Sequence, residues 1–216
     1  MTAKDPTDKI SAPSGLRLQD VQALLADPAP ARRARVVQQL AFEIDTGRLR
    51  PAEWSIALDI MRAMAADAET AVRHAVAESM KGSKALPRDV AVALAKDEPA
   101  VAVPILEWSP VLTDEDLVAV LADGNGTKQV AVARRPEVST TVAAALIDTG
   151  NAAAVTTLVG NEGAALGEDL LKRTLDRYSK FETVKAAMVH RNELPVTISE
   201  RLVALVSDKL KVVLAS

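Results

Sequence analysis

Cysteine is absent from the 216 residues. That removes disulfides, thiol nucleophiles and thiolate metal sites together. Histidine occurs twice, as His74 and His190. A zinc site would need carboxylates at ligand spacing to make up the difference, and no such spacing is present, so no metal is expected. Aromatic residues are almost as scarce: Phe42, Trp54, Trp108, Tyr178 and Phe181. The core must therefore be filled by Ala, Leu and Val, side chains that suit closely packed helices. The same scarcity withholds the stacking platforms that single-strand nucleic-acid binders use. No apolar run reaches the roughly 18 residues needed to span a bilayer, so no membrane association is expected. The formal net charge of -3 gives no chain-wide attraction to phosphate backbones. A polar, proline-bearing start without a signal-peptide core, together with zero cysteine, points to a cytoplasmic protein.

What the chain does contain is apolar material, 49% of its residues, and that material recurs in register. Val90, Leu117, Val142, Leu171 and Ile198 form one column, each 25 to 29 residues after the last. Leu94, Leu121, Leu146, Leu175 and Leu202 form a second with the same steps. Val103, Val130, Val155, Val184 and Leu210 form a third, accompanied by Leu106, Ala133, Leu158, Ala187 and Val213. Three columns in step describe one two-helix unit copied about five times over residues 87–216. A longer period precedes it. Asp27, Arg33, Val36 and Leu40 recur 40 residues on as Asp67, Arg73, Val76 and Met80, which gives HEAT-like helical repeats over residues 15–86. Residues 1–14 read as a flexible tail. No stretch alternates with period two over strand length, so no sheet is expected. The expected architecture is an all-α, right-handed α-solenoid, a HEAT- or armadillo-like superhelix of short two-helix repeats.

The last unit ends at Ser216 without a closing turn, which leaves Leu210, Val213 and Leu214 with no further repeat to cover them. Terminal repeats normally carry a polar outer face. The expectation is that the final repeat is truncated and that the array belongs to a longer one.

Local motifs that resemble chemistry have structural readings. Thr113-Asp114-Glu115-Asp116 is a helix cap followed by acidic residues that suit the helix dipole. Asp123-Gly124-Asn125-Gly126-Thr127-Lys128 resembles a phosphate loop, but a helix precedes it and no Gly-Lys-Ser/Thr ending follows, so it reads as a turn. Asp97, Asp123 and Asp148 are the expected N-caps of second helices. His74 and His190 fall off the apolar stripes and are expected in solvent. Arg32, Arg33 and Arg35 are the basic group closest to a phosphate contact, and read as a solvated helix face. No Gly-x-Ser-x-Gly elbow or comparable nucleophile context occurs. Neither catalytic residues nor a cofactor are expected.

Two passages, LAKDEPAVAVPILEWSPVLTDEDL and VAVARRPEVSTTVAAALIDTGN, resemble the bacterial domain-of-unknown-function 2336 family. The resemblance is strongest over residues 87–166 and extends over roughly 15–216. It implies a HEAT-like or leucine-rich-repeat-variant array that usually continues further, and it implies no activity or cofactor. The wording departs from the family's around Asn161-Glu162-Gly163.

Repeat arrays present long surfaces to partners. The expected role is therefore a non-enzymatic protein-binding scaffold or regulator. The alternative is a nucleic-acid-binding HEAT-like repeat, which requires Arg33, Arg73, Arg134 and Arg135 to converge on one face. The ends of successive second helices place Trp108, Arg134, Arg135, His190 and Arg191 along one edge, and exposed Trp and Arg are frequent binding hot spots. These five are the candidate partner-binding residues. The competing reading is that the cations satisfy helix C-termini.

Overall fold

A computed structural model describes residues 22–24 and 26–205. The expected tail at 1–14 and the end of the fifth unit, with Leu210, Val213 and Leu214, lie outside them. Twelve helices are followed here: α1 (Pro30–Asp45), α2 (Pro51–Ala65), α3 (Thr70–Met80), α4 (Arg88–Lys96), α5 (Pro99–Trp108) and α6 (Asp114–Leu121), then α7 (Gly126–Ala133), α8 (Thr140–Asp148), α9 (Ala152–Val159), α10 (Glu168–Tyr178), α11 (Glu182–Val189) and α12 (Val196–Leu205). Among the described residues no strand forms. The one isolated extended pairing there joins Val138 and Ala164 in parallel. No described helix is long and apolar enough to cross a membrane.

Local signals account for the boundaries. Pro30, Pro51 and Pro99 open α1, α2 and α5, where the missing N–H costs nothing. The Thr113 side chain accepts from Asp116 N, and the Asp116 carboxylate accepts from Thr113 N at 3.0 Å, closing a capping box on α6. Gly47, Gly124 and Gly150 have positive φ in the turns that follow α1, α6 and α8, a conformation glycine adopts without strain. Most of these helices have 8 to 11 residues, too short to persist alone. Packing must hold them.

That packing follows the chain at close range. α1, α3, α5, α7, α9 and α11 lie side by side in one row, and α2, α4, α6, α8, α10 and α12 in a second. Each row packs on the other through chain neighbours, with the core between them. All ten residues of the first two apolar columns are buried, from Val90 and Leu94 through Ile198 and Leu202. The third column divides. Val155 and Val184 are buried, but Val103 and Val130 are only partly buried and pack at the margin of the core. In α7 the inward positions hold Lys128 and Gln129 as well as Ala131, Val132 and Ala133. The valine read as core in α5 and α7 is thus a flank.

The expected aspartate caps are corrected too. Glu98, Asn125 and Asn151 stand at the N-caps of α5, α7 and α9. The aspartates bind cations. Arg33 grips Asp67 through two parallel bonds, 2.7 Å from Nε and 2.8 Å from Nη2, and its Nη1 also donates to the Asp27 carbonyl. Arg73 repeats this on Asp97 at 2.6 and 3.0 Å and on the Asp67 carbonyl at 2.9 Å. Lys128, itself buried, reaches Asp123 at 3.0 Å and the Lys96 carbonyl at 3.1 Å. Arg173 and Arg177 both meet Asp148. The bond from Arg33 holds the Asp67 carboxyl below the usual carboxylate range, and the bond from Arg73 does the same for Asp97.

Candidate partner-binding surface

The five edge residues differ in what they already hold. Arg135 follows α7 and turns back on the preceding unit, donating to the Leu106 carbonyl at 2.7 Å and the Ser109 carbonyl at 2.8 Å. Burial draws its pKa below the ordinary arginine value, yet a guanidinium in a protein stays charged. Asn161 occupies the same place after α9 and donates to the Ala133 and Arg135 carbonyls at 2.9 and 2.7 Å. Arg191, after α11, donates to the carbonyls of Val159, Asn161 and Ala164 at 3.1, 3.0 and 2.9 Å. These side chains satisfy carbonyls that a helix leaves open at its C-terminus. They cement one unit to the next.

Trp108, Arg134 and His190 are exposed at this edge. Trp108 ends α5 as the largest exposed aromatic of the described residues, half of its surface open to water. Arg134 lies 3.4 Å from Glu107 in a single contact, its side chain 62% exposed against 17% for the carboxylate. The edge is thus partly joint and partly free surface.

Three of the four arginines on which the nucleic-acid alternative draws already hold partners. Arg33 is buried against Asp67, Arg73 is bound to Asp97, and Arg135 points into the joint. Arg32 is exposed and lies 3.7 Å from Asp27. His74, expected in solvent, is exposed but engaged: its Nδ1 lies 2.7 Å from the Ala100 carbonyl oxygen. Among the described residues no group of three or more His, Asp or Glu is placed to hold a metal ion.

A surface absent from the edge reading runs across α5, α7 and α9. It is an open groove of about 570 Å³. Its floor is made by Val103, Val130, Ala131 and Ala153, including the two valines that the column reading had assigned to the core. Glu107 and Arg134 stand at the C-terminal end of the helices, with Asn125, Thr127 and Asn151 at the other. Two polar residues make the floor possible. Gln129 is buried, donating to the Leu121 carbonyl at 3.3 Å and accepting from Asn151 Nδ2 at 2.8 Å. With Lys128 and Gln129 directed inward, Val130 is left partly exposed in the groove while it still packs against the core. The sequence carries a signal for this, a Lys-Gln pair in the first turn of an otherwise apolar helix, but it becomes legible only once the partners are known.

The segment 161–165 is held against the loop that follows α7. Val138 N donates to the Gly163 carbonyl at 3.1 Å, and Ala165 N to the Val138 carbonyl at 2.8 Å. A Cβ at Gly163 would stand 1.9 Å from the Pro136 carbonyl oxygen. Only glycine fits that approach.

Against known proteins, a family model described as "Uncharacterised protein conserved in bacteria (DUF2336)" matches residues 101–216, more than half of the chain. No curated protein and no solved structure matches it.

Proposed function

The chain belongs to the bacterial DUF2336 family, and from that premise we propose that it is a non-enzymatic protein-binding scaffold or regulator built as a right-handed α-solenoid of HEAT-like units. The two-row packing of neighbouring helices supports the solenoid reading, because each unit touches the next and the array can present one continuous face. The observation that carries the function is the groove across α5, α7 and α9. Val103 and Val130 both line it, partly exposed, in company with polar side chains. An apolar floor with a few polar groups at its margins suits a partner segment better than a solvated surface does. Trp108, Arg134 and His190 remain candidates for the flank of that contact. Arg135 and Arg191 contribute by holding the units in register.

A photo-crosslinking amino acid placed at Val130, and separately at Lys172 on α10, tests the reading in the bacterial host. Discrete protein adducts from position 130 and none from position 172 are expected. Equal or absent adducts at both positions would contradict it.

A further inference from the structure

We infer that the occupant of the α5–α7–α9 groove is an extended acidic peptide segment in which carboxylate and apolar side chains alternate. The inference rests on the protein-binding reading and goes on to specify the partner's chemistry.

The groups on the groove that are still open define what it can bind. Val103, Val130 and Ala153 offer apolar surface and no polar atom beyond the backbone. Asn151 is fully engaged: its Oδ1 accepts from Ala153 N at 3.0 Å and its Nδ2 donates to Gln129. Asn125 is half engaged. Its Oδ1 caps α7 by accepting from Lys128 N at 3.1 Å, and its Nδ2 has no partner among the described residues. Glu107, the one carboxylate on the groove, is largely covered and faced by Arg134. Arg134 itself uses one nitrogen, Nη1, in a single 3.4 Å contact, and leaves the rest of its guanidinium in solvent. The nearby Asp123 carboxylate is occupied by Lys128 and by Asn125 N. The most open charged group of this groove is therefore the Arg134 guanidinium at one end, while the other end offers the Asn125 amide as a donor and the Thr127 hydroxyl, which both donates and accepts.

An extended chain places successive side chains on opposite sides. Alternation lets one set lie on Val103 and Val130 while the other reaches the rims. A carboxylate at the Arg134 end gains a charge-assisted hydrogen bond from the guanidinium nitrogens that Glu107 does not engage. A lysine there meets repulsion from Arg134.

The test titrates three blocked hexapeptides into the full chain, with leucine alternating with aspartate, serine or lysine. The readout is the methyl resonances of Val103 and Val130. The aspartate peptide should shift both and bind about fivefold more tightly than the serine peptide, the scale of one partly exposed ion pair. The lysine peptide should be weakest. Arg134→Glu, a change at an exposed site, should reverse that order, and Glu107→Gln, which releases Arg134 from its partner, should tighten the aspartate peptide. Equal binding of the aspartate and serine peptides would overturn the acidic preference and leave the groove standing. Failure of all three peptides to move either methyl would overturn the groove reading as well. Displacement of the aspartate peptide by an oligothymidylate at equal charge would turn the surface into a general polyanion site and overturn the peptide assignment.

Discussion

The imidazole of His74, on α3, supplies a donor to the Ala100 carbonyl oxygen of α5 across 2.7 Å. Pro104 lies four residues after Ala100 inside the same helix and has no N–H to give. The carbonyl that proline strands is therefore taken up by the neighbouring unit. A kink-prone position has become a joint.

This pairing sets a thermodynamic cycle. His74→Ala should cost about 1 kcal/mol, the net value of one such hydrogen bond, in urea denaturation. The same substitution in a Pro104→Ala background should cost less, because the restored backbone N–H then reaches Ala100. Equal costs in the two backgrounds would show that the imidazole and the proline are not coupled.

The Arg33–Asp67 and Arg73–Asp97 pairs predict the acid limb of stability. Their bonds hold both carboxyls below the ordinary aspartate value in the folded chain. A group depressed on folding stabilises above its unfolded pKa, here about 4, and that stability is lost as pH falls through the lower folded value. The denaturation midpoint should thus be flat near neutrality and decline below about pH 4. Asp67→Asn should lower the plateau and make the decline shallower. A parallel shift of the whole curve would remove Asp67 from the titrating set.

Gly163→Ala should destabilise by about 1–3 kcal/mol, as overpacking does, since its new Cβ would meet the Pro136 carbonyl. Gly167→Ala is the control, with open space at its Cβ. Both are read by chemical denaturation, and similar values for the two would contradict the close approach of segments 136–138 and 161–165.

Leu121→Ala should cost about 2–5 kcal/mol, as for other buried leucines, because Leu121 lies in the core between the rows. Val130→Ala, at a half-buried position, should cost clearly less. A reversed order in the denaturation midpoints would return Val130 to the core and close the groove.

These cases mark how far the residues alone could be read. The columns led by Val90 and Leu94 were legible because two apolar residues one turn apart recur on every first helix, and all ten are buried. The third column failed at Val103 and Val130 for a physical reason. An inward lysine and glutamine are tolerated only because the Lys96 and Leu121 carbonyls and the Asp123 carboxylate accept from them and Asn151 donates to Gln129, and of these partners only Asp123 lies close by in the chain. The recurrence of Asp27 and Arg33 as Asp67 and Arg73 was equally visible. Its meaning, an arginine of one unit held by the aspartate of the next, depends on contacts 24 to 34 residues apart. At the edge, Arg135 and Arg191 look the same in sequence as Arg134, and only the direction of each side chain separates joint from free surface.

The proposed docking surface is the α5–α7–α9 groove and not the carbonyl-capping edge. Quantitative comparison of the proteins held by the wild-type chain, Val130→Glu and Arg135→Ala in the native host tests it most directly. Val130→Glu should lose those proteins while keeping its helical circular dichroism. Arg135→Ala should retain them at temperatures where it is folded, though with a lower melting midpoint. Retention by Val130→Glu together with loss from a folded Arg135→Ala would contradict the account.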